Sequence, residues 1–111
     1  MFSRTNRLSS SRDIQRTLKA GLRAKTKLFS IYVAQSGGAS MRFVCVVGKK
    51  VHKSSVVRHA IQRRIRAACR KIQFPDNWYR DVVLLALSSE IQTMSIEDIA
   101  SDIQYGLQGI R

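Results

Sequence analysis

The sequence has few acidic residues, two cysteines and one proline among its 111 residues. Cys45 and Cys69 lie in separate apolar segments and fit neither a paired-cysteine redox motif nor a zinc-binding spacing. No segment reaches the roughly 18 uninterrupted apolar residues that a membrane-spanning helix needs, and residues 1 to 11 lack the apolar centre of a secretory signal. These absences predict a cytoplasmic protein without a membrane partner, with two reduced thiols in its interior.

The sequence also lacks the residue combinations that carry hydrolytic chemistry. His52 and His59 have no cluster of cysteines or carboxylates beside them. The seven acids are scattered, and no pair has the regular spacing of a two-metal nuclease site. We therefore predict no catalytic residue, no metal ligand and no small-molecule substrate for this chain.

What the sequence does contain is a strongly uneven distribution of charge. Residues 1 to 75 hold 18 Lys and Arg against a single acid, Asp13, whereas residues 76 to 111 hold two arginines and six acids. One part of the surface must therefore carry a strong positive potential, which favours a polyanionic partner. A surface that only solubilises the protein would mix the two signs. The charge pattern predicts a protein that binds nucleic acid.

Hydrophobic periodicity predicts six elements in the order helix, strand, strand, helix, strand, helix. The helices cover residues 11 to 20, residues 55 to 72 and a last segment capped by Ser95, and the strands cover residues 28 to 35, 41 to 47 and 81 to 87. The first two strands are predicted to pair as a hairpin, and the last two to form a parallel or split βαβ unit through the middle helix. The result is an α+β fold, a two-layer α-β sandwich, with room for one extra short strand. It forms a single domain over residues 1 to 111, with a flexible basic arm at residues 1 to 7.

The middle helix has an apolar stripe and a separate basic arc, which predict a buried and an exposed face. The stripe consists of Val57, Ile61, Ile65, Ala68 and Ile72, and the arc of Arg58, His59, Gln62, Arg63, Arg66 and Arg70. Three lysines, Lys49, Lys50 and Lys53, come just before the helix. Lysines near a helix start and forked arginine side chains both bind phosphate well. Because acids are so scarce nearby, we expect these cations to contact nucleic acid rather than to pair within the chain.

This segment resembles the signature of the bacterial ribonuclease P protein component, in which a lysine pair after a strand leads into a helix that begins Arg-Asn-Arg. The matching positions are Lys49, Lys50, Val51, Lys53, Val57, Arg58, Ile61, Arg63, Ile65 and Arg66. Further similarity upstream, from Arg7-Leu8 through the segment at residues 28 to 33, extends the resemblance to about residues 7 to 107.

The chain departs from that signature at several positions and is identified as a divergent member of the family. His59, Ala60 and Gln62 replace the usual Asn, Arg and Lys, and His52 replaces a glycine. Ala60 removes one phosphate contact, while His59 can still hydrogen-bond or stack on a base. Two family phenylalanines are replaced by the apolar residues Ile14 and Leu18, which cannot stack on bases.

The resemblance implies a subunit that binds ribonuclease P RNA and the 5′ leader of precursor tRNA, and assists endonucleolytic removal of that leader. The RNA and its bound Mg²⁺ would perform the hydrolysis. It also implies a left-handed βαβ crossover, whereas general chain rules favour the right-handed form.

The resemblance further implies two RNA-binding surfaces. The catalytic RNA would dock on Lys49, Lys50, Lys53, Arg58, Arg63, Arg66 and Arg70. A cleft between the arginine helix and the sheet would hold the leader, lined by Ile14, Leu18, Ser30, Tyr32, Arg58, His59 and Gln62. Tyr32 would either stack on a leader base or close the core with its hydroxyl outward.

Three other classes of protein share part of this pattern. A ribosomal or RNA-chaperone type protein would bind structured RNA without a role in cleavage, but such proteins often carry a long basic extension that is largely lacking here. A helix-turn-helix DNA reader is disfavoured because no second short helix is predicted just before residue 55. A stand-alone metal nuclease would cleave RNA without an RNA partner. Co-purification with ribosomes would indicate the first class, whereas co-purification with a specific structured RNA would favour the ribonuclease P protein. Cleavage by RNA-free protein would identify a stand-alone nuclease.

Overall fold

The computed structural model describes residues 11–35, 41–74 and 80–110. The described chain forms three α-helices and four strands. They are α1 (Ser11–Ala20), β1 (Leu22–Lys25), β2 (Phe29–Gln35), β3 (Arg42–Val46), α2 (Ser55–Cys69), β4 (Arg80–Ala86) and α3 (Ile96–Gln108), and a 3₁₀ turn spans Ser89–Gln92. The α+β class is confirmed, and β1 is the extra short strand. The basic arm predicted at residues 1 to 7 lies outside the described residues.

Serine hydroxyls mark the starts of the two longer helices. The Ser54 hydroxyl accepts a hydrogen bond from the Val57 amide at the start of α2, at 3.4 Å. The Ser95 hydroxyl accepts one from the Asp98 amide at the start of α3, at 3.1 Å, as the sequence predicted. Each hydroxyl satisfies a backbone N–H that has no partner within its helix, and so fixes where the helix begins.

The strands form one sheet in the order β1-β2-β4-β3, so the hairpin predicted between β2 and β3 is wrong. Instead β4 lies between them, antiparallel to β2 and parallel to β3. Val82, Val83 and Leu84 of β4 are buried, and a strand that is apolar on both faces is stabilised most in the middle of a sheet. The parallel β3-α2-β4 unit is confirmed. The hand of this crossover stays a prediction.

The hydrophobic core lies between one face of the sheet and the helices α2 and α3. Phe29, Ile31 and Val33 of β2 contribute to it, together with Ile61 and Ile65 from the predicted apolar stripe of α2. From α3 come Ile99 and Ile103. Leu107 and Ile96 of α3 are partly buried at its margin. We name this side of the sheet the core face.

Both cysteines are buried free thiols, in agreement with the sequence-based prediction. Burial raises the pKa of the Cys69 thiol far above its ordinary value of 9.0, and the nearby Cys45 adds to the effect. The Cys69 thiol therefore stays protonated in the folded protein. Within the described residues, no helix is both long and apolar enough to cross a membrane.

Helix α1 packs on the opposite face of the sheet and is attached there by charged side chains. The carboxylate of Asp81, which is 0% exposed, accepts hydrogen bonds from Arg16 Nη2 at 2.8 Å and from Arg42 Nε and Nη2 at 2.9 and 2.8 Å. Asp13 of α1 lies 3.2 Å from Arg42. The hydrogen bonds that Arg42 donates to Asp81 also raise the pKa of Arg42 above its ordinary value. This cluster joins α1 to the end of the sheet where β3 begins.

Candidate RNA interface

The sheet face that carries α1 is covered at one end and more exposed at the other. The ladder aligns Ala34, Asp81 and Arg42 at the covered end, and Ser30, Leu85 and Val46 at the other. Val46 is 41% exposed there, although most side chains of its type are buried in sheets. We name this surface the open face. Its residues are Arg23, Lys25, Ser30, Tyr32, Val44, Val46 and Leu85.

Tyr32 lies near the middle of the open face with a cation above it. Arg23 is the direct cross-strand partner of Tyr32, and its guanidinium carbon lies 5.7 Å from the centre of the ring. At this distance the positive guanidinium interacts with the negative face of the aromatic ring. Tyr32 is half-buried, so part of its ring remains accessible beside Arg23.

The lysine loop, residues 47 to 54, leaves the sheet from the open end of this face. Lys49, Lys50 and Lys53 are all exposed. Arg58 of α2 fixes the loop, because its Nη1 donates to the carbonyls of His52 at 3.0 Å and Lys53 at 2.9 Å. Arg58 was predicted to bind both RNA partners, and the structure shows that its guanidinium also holds the loop against the helix.

The basic arc of α2 points away from the core, as the sequence predicted. Arg63 and Arg70 are exposed and Arg66 is half-buried, whereas Ile61 and Ile65 on the other side are fully buried. Among the described residues, no acid forms an ion pair with these three arginines or with the lysines of the loop. Their charge is therefore available to a partner.

Arg64 differs from its neighbours because it binds within the protein. Its Nε donates to the Ile91 carbonyl at 3.2 Å, and its Nη2 donates to the Met94 carbonyl. These carbonyls belong to the segment between β4 and α3, so Arg64 joins that segment to α2. The sequence analysis left Arg64 out of the basic arc, and the structure explains why it belongs to a different surface.

The residues predicted for the leader cleft lie in two different layers. In the part of the chain that the structure describes, the hydrophobic core fills the space between α2 and the sheet. Ile14 and Leu18 are half-buried on α1, in the layer next to the open face that carries Ser30 and Tyr32. The other three residues belong to α2, whose helix packs on the core face: Arg58, His59 and Gln62. The structure thus places the first four on the α1 side of the sheet, whereas the last three belong to the helix that packs against the core face.

Sequence analysis missed two cations of the open face, Arg23 and Lys25. They lie on β1, where Arg23 pairs with Tyr32 and Lys25 with Ser30. A strand of four residues with alternate cations gives too weak a periodic signal to be recognised alone. Across the described ranges, no group of three His, Cys, Asp or Glu side chains is placed to hold a metal ion.

Comparison with known proteins agrees with this arrangement of a basic helix on a small sheet. Residues 2–111 match the family model described as Ribonuclease P. The chain belongs to this family. Membership implies an RNA partner and a role in the processing of tRNA by an endoribonuclease complex. No curated protein matches the chain at comparable significance.

Solved structures of ribonuclease P proteins share the fold. The protein from Staphylococcus aureus aligns with a TM-score of 0.76 and 22% identity, covering 96% of this chain and 95% of the other. The protein from Thermotoga maritima aligns with a TM-score of 0.77 and 22% identity, covering 95% of this chain and 97% of the other. The same Thermotoga protein in complex with 1-(4-fluorophenyl)-2-thiourea gives a TM-score of 0.78 at 21% identity, covering 95% and 100% of the two chains. At such low identity the shared property is the fold.

Proposed function

We propose that this chain is the protein subunit of a ribonuclease P ribonucleoprotein and assists the removal of the 5′ leader from precursor tRNA. The observation that carries the proposal is the set of cations without an acidic partner among the described residues. They cover one continuous stretch of chain, the lysine loop and the outer side of α2: Lys49, Lys50, Lys53, Arg63, Arg66 and Arg70. In a ribonuclease P family member, such a surface is the proposed docking site for the catalytic RNA.

Cations at this position reduce the electrostatic repulsion between the two RNAs of the complex. The catalyst and the substrate are both polyanions, so their phosphates repel each other when the substrate docks. Six positive charges held on a helix and its preceding loop reduce that repulsion. The same charges fix the position of the protein on the catalytic RNA, because arginine forks bind phosphate oxygens in a defined geometry.

The hydrolysis itself is assigned to the RNA partner and the Mg²⁺ bound to it. The chain contributes binding and orientation, through the surfaces described above. Its histidines and carboxylates have no assigned part in proton transfer: His52 Nδ1 accepts a hydrogen bond from the Ser54 amide at 3.0 Å, and Asp81 is held by two arginines. The complex would act in the cytoplasm on an RNA substrate, without a small-molecule ligand.

The open face is the proposed binding surface for the single-stranded leader. It offers the aromatic ring of Tyr32 and the apolar side chains of Val44, Val46 and Leu85 in one plane. A single strand exposes its bases, which stack on aromatic side chains and contact apolar surface. Ile14 and Leu18 of α1 border this surface in place of the family's phenylalanines. Arg58, His59 and Gln62 of α2 remain proposed leader contacts from the helix side.

Reconstitution tests the proposal directly. The protein is added to a bacterial ribonuclease P RNA at low Mg²⁺, and cleavage of precursor tRNA at the mature 5′ end is measured. We expect the protein to raise the cleavage rate, and the Arg63→Ala/Arg66→Ala double variant to need a higher protein concentration for the same effect. Lys71→Ala is the matched control, because Lys71 is exposed near the end of α2 but lies 3.5 Å from Glu97.

Two results would contradict the proposal. Tight binding to ribosomal RNA without any stimulation of cleavage would favour the alternative, a ribosomal or RNA-chaperone type protein. Cleavage of precursor tRNA by protein freed of all RNA would instead identify a stand-alone nuclease.

A further inference from the structure

Two cations of β1 face the same side of the sheet as Tyr32. Arg23 lies directly opposite Tyr32 in the β1–β2 ladder, and Lys25 lies directly opposite Ser30. Residues on alternate positions of a strand point to the same face, so both cations belong to the open face. Their side chains are exposed.

Neither cation has an acidic partner among the described residues. The contrast with Lys27, two positions after Lys25, is informative, because Lys27 lies 3.7 Å from Glu90. Arg23 instead holds its guanidinium over the Tyr32 ring, 5.7 Å from the ring centre. A cation that is stacked but not neutralised keeps both its charge and its outer planar face for a ligand.

A second observation comes from Ser30, next to Lys25 and Tyr32. Its side chain is 4% exposed, and its hydroxyl has no hydrogen-bond partner among the described residues. A buried hydroxyl without a partner costs stability, and native proteins leave few such groups unsatisfied. The floor of the open face therefore carries a polar atom that lacks a partner within the protein, at the position that Lys25 adjoins.

From these observations we infer that Arg23, Tyr32 and Lys25 form a binding site for one nucleotide of single-stranded RNA. The base stacks on the outer face of the Arg23 guanidinium, which Tyr32 supports from below. Lys25, which lies beside the buried Ser30, neutralises a neighbouring phosphate. This site rests on the proposed function, because the leader of precursor tRNA is the single strand that would occupy it.

The arrangement differs from a bare tyrosine platform in what it recognises. A guanidinium plane stacks on any base and also attracts the phosphate backbone, so the site accepts every sequence. Because Arg23 covers part of the Tyr32 ring, the ring supports the guanidinium rather than contacting the base alone. Removing either side chain should then abolish the same contact.

The test uses the protein reconstituted with a bacterial ribonuclease P RNA. Dissociation constants are measured for precursor tRNA and for mature tRNA, which has no leader, with the unchanged protein and with Arg23→Ala, Arg23→Lys, Lys25→Ala and Lys71→Ala. We expect Arg23→Ala to weaken precursor binding about tenfold and to leave mature tRNA binding unchanged, since stacking of one base is lost. Arg23→Lys keeps the charge without the planar group and should weaken precursor binding nearly as much as Arg23→Ala.

Lys25→Ala should weaken precursor binding about threefold, as expected for one phosphate contact at an exposed position. Lys71→Ala removes the same charge elsewhere and should change neither constant.

A double variant tests whether Arg23 and Tyr32 act as one unit. Arg23→Ala/Tyr32→Ala should weaken precursor binding by little more than Arg23→Ala alone. In this account the Tyr32 ring acts by holding the Arg23 guanidinium, which the single variant already lacks. Thermal unfolding of each variant verifies that the fold is kept, which the exposure of Arg23 and Lys25 favours.

The outcomes separate this site from the broader proposal. If the unchanged protein gives no preference for precursor over mature tRNA, leader binding itself is refuted. If the preference exists but Arg23→Ala behaves like Lys71→Ala, the leader lies elsewhere and only the β1 site is overturned. If Arg23→Lys binds precursor as well as the unchanged protein, charge alone is used and the stacked geometry is refuted.

Discussion

At the scale of single residues, the basic side chains of this protein divide into two groups that the sequence cannot separate. Arg16 and Arg42 bind the buried Asp81, and Arg64 donates to two backbone carbonyls. Arg63 and Arg70 lie one or a few positions from Arg64 but have no such partner among the described residues. All are arginines in a basic segment, so only their direction relative to the core distinguishes a structural cation from an RNA-binding one.

The two groups should respond differently to substitution by alanine. Arg63→Ala or Arg66→Ala should weaken binding to ribonuclease P RNA by about 1 to 3 kcal/mol and leave the free energy of unfolding nearly unchanged. Arg64→Ala should instead lower the free energy of unfolding by about 1 to 3 kcal/mol, because two partly buried carbonyls lose a charged donor. Urea unfolding and filter-binding titrations measure the two quantities. Loss of folding in Arg63→Ala would mean that the helix faces are assigned the wrong way round.

Tyr32 should act through its ring rather than its hydroxyl. Tyr32→Ala should weaken binding of precursor tRNA to the reconstituted complex by about 1 to 3 kcal/mol, while mature tRNA, which has no leader, should bind as before. Tyr32→Phe keeps the ring that supports Arg23 and should bind both RNAs normally. Equal losses for precursor and mature tRNA would show that Tyr32 serves folding or RNA docking instead.

The Cys69 thiol should make stability depend on pH in the alkaline range. Burial raises the pKa of Cys69 in the folded protein above its ordinary value of 9.0, so the unfolded chain releases this proton at a lower pH than the folded one. The stabilising contribution is complete below pH 9 and is lost as the pH rises above it, by about 1.4 kcal/mol per pH unit for one proton. Urea unfolding at several pH values, compared with Cys69→Ala, measures this difference. Identical pH profiles for the two proteins would refute it.

At the scale of elements, local periodicity predicted the helices well and the pairing of strands poorly. The stripe of Ile61 and Ile65 specified both α2 and its buried face, because helical periodicity is a property of the segment itself. Strand pairing depends on which strand is apolar on both faces. Val82 and Val83 point to opposite faces of β4 and are both buried, so β4 lies in the centre of the sheet, between β2 and β3. The position of β1 along the chain was not predicted, because four residues give too short a pattern, and the β1 cations beside Tyr32 were missed with it.

The predicted leader cleft also depends on more than the periodicity of single segments. Ile14, Leu18, Ser30 and Tyr32 could be grouped from the family resemblance, and the structure places them on the α1 side of the sheet. The assignment of α2 to the opposite wall stays a prediction, and the apolar stripe of α2 is buried against the core face. Which face a helix covers follows from the crossover and from packing, which no single segment encodes.

The position of α1 over the sheet depends on the buried Asp81. Replacing Asp81 with alanine should lower the free energy of unfolding by about 2 kcal/mol, because three charge-assisted hydrogen bonds are lost, while the partly exposed Arg16 and Arg42 regain water. Asp13→Ala should cost less than about 1 kcal/mol, since its carboxylate is 27% exposed and its pairing is partly screened. Denaturant titration of both variants shows which substitution lowers the free energy of unfolding more. A larger loss in Asp13→Ala would show that Asp13 of α1, and not Asp81 of β4, is the main acceptor of the cluster.

At the scale of the whole molecule, the fold sorts the uneven charge of the sequence onto different sides. The lysine loop and α2 carry cations without acidic partners, whereas the acids Glu97 and Asp98 lie in the first turn of α3. Acids at a helix start are stabilised by the partial positive charge of that end, so they serve α3 without neutralising the RNA-binding side. The ion pair between Lys71 and Glu97 joins the end of α2 to this acidic turn.

This separation predicts a strong dependence of RNA binding on salt. If the six cations of the lysine loop and α2 each contact one phosphate, the logarithm of the affinity should fall with the logarithm of salt concentration with a slope of about −4 to −5. Arg63→Ala should make this slope less steep by about one, because one fewer counterion is released, whereas Lys71→Ala should leave it unchanged since Lys71 is paired with Glu97. The slope of this salt dependence thus reports the number of phosphate contacts, whereas the affinity at one salt concentration also includes apolar packing. An affinity that stays flat between low and moderate salt would mean that the partner is held by the apolar side chains of the open face, and the electrostatic account of docking would fail.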